Sequence, residues 1–261
     1  MSTRIVPALR GARWLADGWQ MFRVAPLGWL AIVFAYWMLM TLVSVVPVVG
    51  LVAASVLVPP LSVGFMAAAR AAAAGGQPRI SHLFEGFRER VPAQLALGVI
   101  YTALIALVIA ATALADGGAL AGWLASGRRP SDEALVSDGF TYALMTAAGL
   151  YVPVTMLYWF APLLVAWHRF GPVKALFYSF FACLMNWRAF LAYGAVTALV
   201  TVAFPFLALS LLMALAPGEH RVAVTSLVFP LLVIMLPALF ASFYASYRDV
   251  FAGEPSASPG P

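Results

Sequence analysis

His82, His168 and His220 are the only histidines and Cys183 the only cysteine. No two histidines stand at a ligand spacing such as HExxH, and one cysteine closes neither an intrachain disulfide nor a thiolate cluster. No metal site is expected. Each histidine falls at the end of an apolar run or on an amphipathic stretch, where interfacial solvation accounts for it. Cys183 reads as a small apolar residue in a packed helix. Ser, His and Asp never approach a nucleophile elbow, and no Gly-rich phosphate loop follows a strand. The reading is a chain that is not an enzyme, with no catalytic residue and no cofactor.

Asn186-Trp187-Arg188 offers more specific chemistry. Arg binds phosphate, Asn is a neutral donor and Trp suits headgroup depth, which together describe lipid-headgroup recognition. Ordinary anchoring explains the same residues and comes first: Trp in the aromatic belt, Arg snorkelling. Lys174, Ser179, Asn186, Trp187 and Arg188 are therefore the candidate contacts to lipid or to a partner membrane protein. Tyr142, Tyr151 and Tyr158 invite a cavity, although interhelical packing is the plainer account. The central parts of the apolar runs hold no Asp, Glu, Lys, Arg or His. Such groups mark proton relays and ion paths, so a proton-coupled pump and a charge-selective channel are disfavoured. Carriage of a neutral or lipid-like substrate stays open.

The elements that must position these residues are membrane spans. Hydrophobic residues are 64% and charged ones 10% of the chain, against about 45–50% and about 25% in a soluble domain. Several charge-free runs reach the length a bilayer requires. The reading is an all-α polytopic protein with six spans, at about 27–46, 51–69 after a short turn at 47–50, 93–115, 140–165, 189–214 and 224–244. The first run is about as long as a span and has no cleavage site behind it, so it is read as a span that stays. The net charge of +5 reads as topology rather than as nucleic-acid binding, because the basic residues cluster at span ends.

Three amphipathic segments precede pairs of spans. In residues 7–23, Ala8, Ala12, Leu15, Trp19 and Phe22 share one face and Arg10, Arg13, Asp17 and Gln20 the other, with Arg13 and Asp17 spaced to pair. Residues 80–91 set Ile80, Leu83, Phe84, Phe87 and Val91 against Ser81, Glu85, Arg88 and Glu89. In the third, Leu176, Phe177, Phe180, Phe181 and Leu184 oppose Lys174, Ala175, Tyr178, Ser179, Ala182 and Asn186. This third segment is expected to lie deepest, its bulky face among spans or acyl chains and its small face on a neighbouring helix or a headgroup.

The order of surface helix, span, turn, Pro-containing span and basic exit occurs three times. Leu15-Ala16-Asp17-Gly18-Trp19 aligns with Leu83-Phe84-Glu85-Gly86-Phe87 and Leu176-Phe177-Tyr178-Ser179-Phe180, and Pro60, Pro162 and Pro237 precede Arg70, Arg169 and Arg248. Such periodicity signals internal duplication. An even number of spans per unit makes the repeats parallel, at about 7–75, 76–170 and 171–252 of one membrane domain, 1–252, with a disordered tail at 253–261. The long loop 116–138 reads as mostly irregular, with short amphipathic structure possible at 120–124, and Pro217-Gly218-Glu219-His220-Arg221 as a short turn.

Arg4, Arg10, Arg13, Arg23, Arg70, Arg79, Arg88, Arg90, Arg169, Lys174, Arg188 and Arg248 fall on one side of this scheme. Only Arg128, Arg129 and Arg221 fall on the other. By the positive-inside rule both termini and all three surface helices are cytoplasmic.

Phe160-Ala161-Pro162-Leu163-Leu164-Val165, with Pro172, Ala175, Ser179-Phe180, Ala182-Cys183, Asn186-Trp187 and Tyr193-Gly194, resembles an uncharacterised family of bacterial six-span inner-membrane proteins. Gly18-Trp19, Phe22 and Pro26-Leu27-Gly28-Trp29 are similar to it too, as is His82-Leu83-Phe84-Glu85-Gly86-Phe87. More distantly the pattern is similar to the membrane domains of some glycerophosphodiester phosphodiesterases. The resemblance implies a fold and an inner-membrane location, and no catalytic residue. Two functions follow: a non-enzymatic component that organises lipid or a partner protein through its surface helices, or a carrier for a neutral or lipid-like substrate.

Overall fold

The computed structural model describes residues 3–46, 48–88, 90–215, 226 and 228–251, and among these it is helical without a strand. The turn at 217–221 with His220, the residue Pro47 and the tail at 253–261 lie outside the described residues. Five helical stretches are long and apolar enough to cross a membrane: Pro26–Val43, Val49–Ala73, Val91–Asp116, Asp138–His168 and Trp187–Ala214. Val228–Phe251 is a further apolar helix of 24 residues. This is the pattern of a polytopic helical membrane protein.

In chain order, α1 (Ala8–Val24), α2 (Pro26–Val43) and α3 (Val49–Ala73) come first. A 3-10 turn follows at Ile80–Phe87, then α4 (Val91–Asp116). The expected amphipathic segment at 80–91 is therefore shorter and tighter than an α-helix. It ends at Phe87, where the N–H of Arg88 donates to the Glu85 carbonyl, and Arg90, in a left-handed conformation (φ 51°), caps the start of α4, which has Pro92 in its first turn. The loop expected to be mostly irregular holds α5 (Ala119–Ser126) and α6 (Asp132–Leu135). Asp116 explains the first: its two carboxylate oxygens accept the N–H groups of Gly118 (2.8 Å) and Leu120 (2.7 Å), which meets donors that a helix start leaves open.

The fourth span is two helices, α7 (Asp138–Tyr158) and α8 (Ala161–His168). Pro162 sits in the first turn of α8, so it starts a helix where Pro59 and Pro60 lie inside α3 and Pro237 lies inside its own helix. A proline cannot donate to the carbonyl four residues back, and the break at Trp159–Phe160 follows. Next come α9 (Pro172–Met185), α10 (Trp187–Ala198), a π-helical stretch (Leu199–Ala203) and α11 (Phe204–Leu215). The wide π turns lead into Pro205, which likewise lacks an N–H. The last helix, α12, is Val228–Phe251.

The helices gather into two compact units. The first comprises Met1–Leu42, Leu61–Glu89 and Ala182–Pro261. Here α1 packs on α12 and α10, with Trp14, Trp29 and Leu83 fully buried. A Cβ at Gly11 would fall on the Ala189 carbonyl, and one at Gly18 on the Ala238 carbonyl. Tyr36, Phe65 and Phe240 join α2, α3 and α12, the last two rings stacked 3.9 Å apart. The second unit comprises Val43–Pro60 and Arg90–Phe181. In it α4 packs on α7, α5 and α8, and Leu120, Phe140 and Ala143 form a buried cluster.

All three surface segments turn small residues inward. Gly11, Trp14, Leu15, Gly18, Met21 and Phe22 are the buried side of α1, so its inward face is rotated from the expected one and Trp19 is partly exposed. Leu83 and Gly86 are buried in the 3-10 turn, while Ile80 and Phe84 are exposed. In α9 the buried residues are Ala175, Leu176, Ser179, Ala182 and Cys183, whereas Phe177 (58%), Phe181 (41%) and Leu184 (45%) are left uncovered by protein. Small side chains permit close helix approach, and in α1 they let bulky Trp14, Met21 and Phe22 pack inward beside them.

Candidate functional site

Asn186 stands between α9 and α10 and is 1% exposed. Its Oδ1 accepts the Val6 N–H (2.8 Å), and its Nδ2 donates to the carbonyls of Arg4 (3.0 Å) and Ala182 (2.9 Å). The side chain therefore spends its hydrogen bonds on backbone. Trp187 and Arg188 next to it are exposed, with the Arg188 guanidinium carbon 5.4 Å from the Trp187 ring centroid. That is within cation–π range. A crevice of about 510 Å³ opens here, lined by residues 5–8 and 185–188.

Beside it in the same unit is a polar cluster that sequence reasoning missed. Arg10 pairs through Nε with Asp249 and through Nη2 with Asp17 (2.7 Å). Arg248 also reaches Asp17 (3.1 Å), and the buried Trp14 indole N–H donates to Asp249 (2.9 Å). Asp17 thus pairs with Arg10 and Arg248, in place of the expected Arg13. The arginine at position 10 is held charged above its ordinary value, chiefly by its hydrogen bond to Asp249. The signal available was Asp249 following Arg248 in the last turn of α12, but its partners lie more than 230 residues away. Glu85 makes the analogous contact with Arg70 (2.8 Å).

In the other unit, Lys174 Nζ lies over the rings of Phe170 (4.3 Å to centroid) and Tyr178 (5.7 Å). Ser179 bridges the break in the fourth span: its Oγ accepts the Phe160 N–H (2.9 Å) and donates to the Met156 carbonyl (2.8 Å). Gln94, also missed, is fully buried. Its Nε2 donates to the Pro162 carbonyl (2.8 Å), and its Oε1 has no partner. Tyr158 donates to the Leu97 carbonyl (2.8 Å), whereas Tyr142 and Tyr151 are exposed. His82 Nδ1 accepts the Arg79 N–H (2.9 Å), a capping role, and His168 stands beside Phe170 at the end of α8. Burial pushes the Cys183 thiol up from its ordinary value.

The candidate contacts therefore separate by exposure. Lys174, Trp187 and Arg188 present surface to an external ligand. Ser179 and Asn186 hold backbone in place.

No family model matches the chain, so its distant similarity to glycerophosphodiester phosphodiesterase membrane domains gains no support. No solved structure matches it. A Burkholderia thailandensis protein named "Probable inner membrane protein" is 38% identical over 262 aligned positions, covering 97% of this chain and 95% of that one. With that identity over nearly the whole of both chains, and with apolar helices of membrane length, the chain belongs to the family of this inner-membrane protein.

Proposed function

We propose that the protein is a non-enzymatic component of the bacterial inner membrane that organises lipid at the cytoplasmic face. The observation that carries this reading is α9. Its small residues face protein, its aromatic side is uncovered, and exposed cations, Lys174 and Arg188, stand near its two ends. An apolar face flanked by cations matches acyl chains under anionic headgroups. Purification in native nanodiscs tests it: a reproducible, selective set of bound lipids is expected, and retention that merely mirrors bulk composition would refute it. A partner membrane protein co-purifying in stoichiometric amount would move the conclusion from lipid to partner.

The three-repeat architecture belongs to this proposal. Support comes from a contact between each surface segment and a Pro-containing span, different in kind from one to the next. Asp17 of α1 pairs with Arg248, and Glu85 of the 3-10 turn pairs with Arg70. Gly18 lies against Ala238, Leu83 against Gly64, and Ser179 against the Met156–Phe160 break. Each surface helix thus docks on the Pro-containing span of the preceding repeat, with the first docking on the last.

A carrier is the second reading. The broken fourth span and the unpartnered Gln94 Oε1 beside Pro162 favour it, since discontinuous helices form many transporter sites. Saturable, substrate-specific flux in liposomes, reduced in Gln94→Leu, would select this reading over the first.

A further inference from the structure

The segment before α1 is pinned as a wall. The Arg4 N–H donates to the Val250 carbonyl (2.9 Å), and Asn186 takes the Arg4 carbonyl and the Val6 N–H with the two ends of one amide. Its further bond to the Ala182 carbonyl fixes that amide on α9. Opposite the wall stand Met185, Trp187 and Arg188, and the space between is the crevice of about 510 Å³. Sites for small ligands occupy roughly 300–1,000 Å³.

The lining chooses among ligands. Ile5, Val6, Pro7, Met185 and Trp187 are apolar, and Arg188 is the formal charge. Among the described residues no carboxylate lines the space. A guanidinium offers paired donors to a phosphodiester, while the apolar walls suit the upper part of an acyl chain. Inorganic phosphate would leave those walls unmatched, and a zwitterionic headgroup would bring an ammonium to a place without an acid.

We propose that the crevice between residues 5–8 and 185–188 binds the headgroup and upper chain of one anionic glycerophospholipid. Arg188 is the headgroup ligand, and Asn186 is a positioning residue that holds the N-terminal wall. The inference rests on the lipid-organising reading and adds a lipid class and a place.

The full chain in nanodiscs of equal phosphatidylglycerol and phosphatidylethanolamine, released and weighed by native mass spectrometry, tests it. Wild type is expected to retain phosphatidylglycerol preferentially. Arg188→Gln should lower that retention about tenfold, roughly 1.4 kcal/mol. Ile5→Glu should do the same by placing an acid at the mouth, and Ile5 is 70% exposed, so the fold is not at risk. Arg13→Gln, an exposed charge on α1 away from the lining, should change nothing. Asn186→Ala should lower retention and also speed amide exchange at Arg4 and Val6. Unchanged retention in both Arg188→Gln and Ile5→Glu overturns the site. Loss of retention in Asn186→Ala with unchanged exchange at those amides overturns the positioning role. If wild type retains no lipid selectively, the broader reading falls as well. Selective retention that survives the crevice variants but is lost in Phe177→Ser with Phe181→Ser overturns the crevice alone.

Discussion

Asp249 joins α12 to α1 through two donors, the Arg10 guanidinium and the buried Trp14 indole. Replacing it by Ala removes one of the two carboxylates paired with Arg10 and takes the acceptor from the buried Trp14 indole. The cost should be about 2–3 kcal/mol, read as a lower unfolding midpoint in detergent, whereas Asp249→Asn keeps an acceptor and should cost less. The pH behaviour has a definite sign. The pKa of Arg10 is raised in the folded protein. The stability it contributes is therefore complete below the ordinary arginine value and is lost only as pH rises through the raised one. Between about pH 6 and about pH 9 this guanidinium should give no slope. A fall in stability across that window that disappears in Arg10→Ala would contradict the assignment. Cys183 supplies a separate check. It is 3% exposed and its thiol is pushed up, so maleimide should label it only on unfolding, and rapid labelling of the native protein at about pH 8 would be inconsistent with that burial.

Small residues set how closely the helices approach. A Cβ at Gly11 or Gly18 would overlap backbone of α10 or α12, whereas Gly194, within α10, has no atom within 4 Å of such a Cβ. Gly11→Ala and Gly18→Ala should each lose about 1–3 kcal/mol, while Gly194→Ala should be neutral or gain up to about 1 kcal/mol from helix propensity. Denaturant titration in mild detergent gives all three, and equal losses would dismiss the close-packing account. Ser179→Ala tests the broken span, because it removes the hydroxyl that accepts the Phe160 N–H and donates to the Met156 carbonyl, and it should cost about 1–2 kcal/mol. These elements were unequally legible in sequence. Spans and the amphipathic character of α1 follow from apolar length and helical period. The inward face of α1 does not, because Gly11 and Gly18 carry no hydrophobic signal and the helical period alone does not choose Trp14 over Trp19 for the buried side. The shape of residues 80–87 depends on Gly64 accepting Leu83 against its backbone, a contact no local pattern encodes. At the candidate site, residue type alone nominates Trp187 and Arg188, and both are exposed. The clasp made by Asn186 was hidden because its partners, Arg4 and Val6, lie about 180 residues away.

At the scale of the whole molecule the charge distribution carries the proposed orientation. Arg70 follows the central apolar part of α3, Arg90 caps α4, Arg169 caps α8, and Arg248 lies in the last turn of α12. The six-span reading of the sequence assigns twelve basic residues to one side and Arg128, Arg129 and Arg221 to the other, and we propose that this split sets cytoplasmic termini. Cations within a few residues of span ends resist translocation, and the difference between sides orients the protein. The loop with α5 and α6 carries Asp116, Asp132, Glu133 and Asp138 beside its two arginines, and Arg129 is already paired with Asp132 (2.9 Å). Acids contribute little to the rule, so the loop has only a weak hold on the cytoplasm. Reporter fusions after Gly127 and after Phe251 should therefore read periplasmic and cytoplasmic, respectively. Two cytoplasmic readings would mean an odd number of crossings between those positions is wrong, and with it the six-span scheme. The inverted pair would leave the spans intact but put Arg188 and the crevice on the periplasmic face, and so would sink the proposal of a cytoplasmic lipid-organising surface.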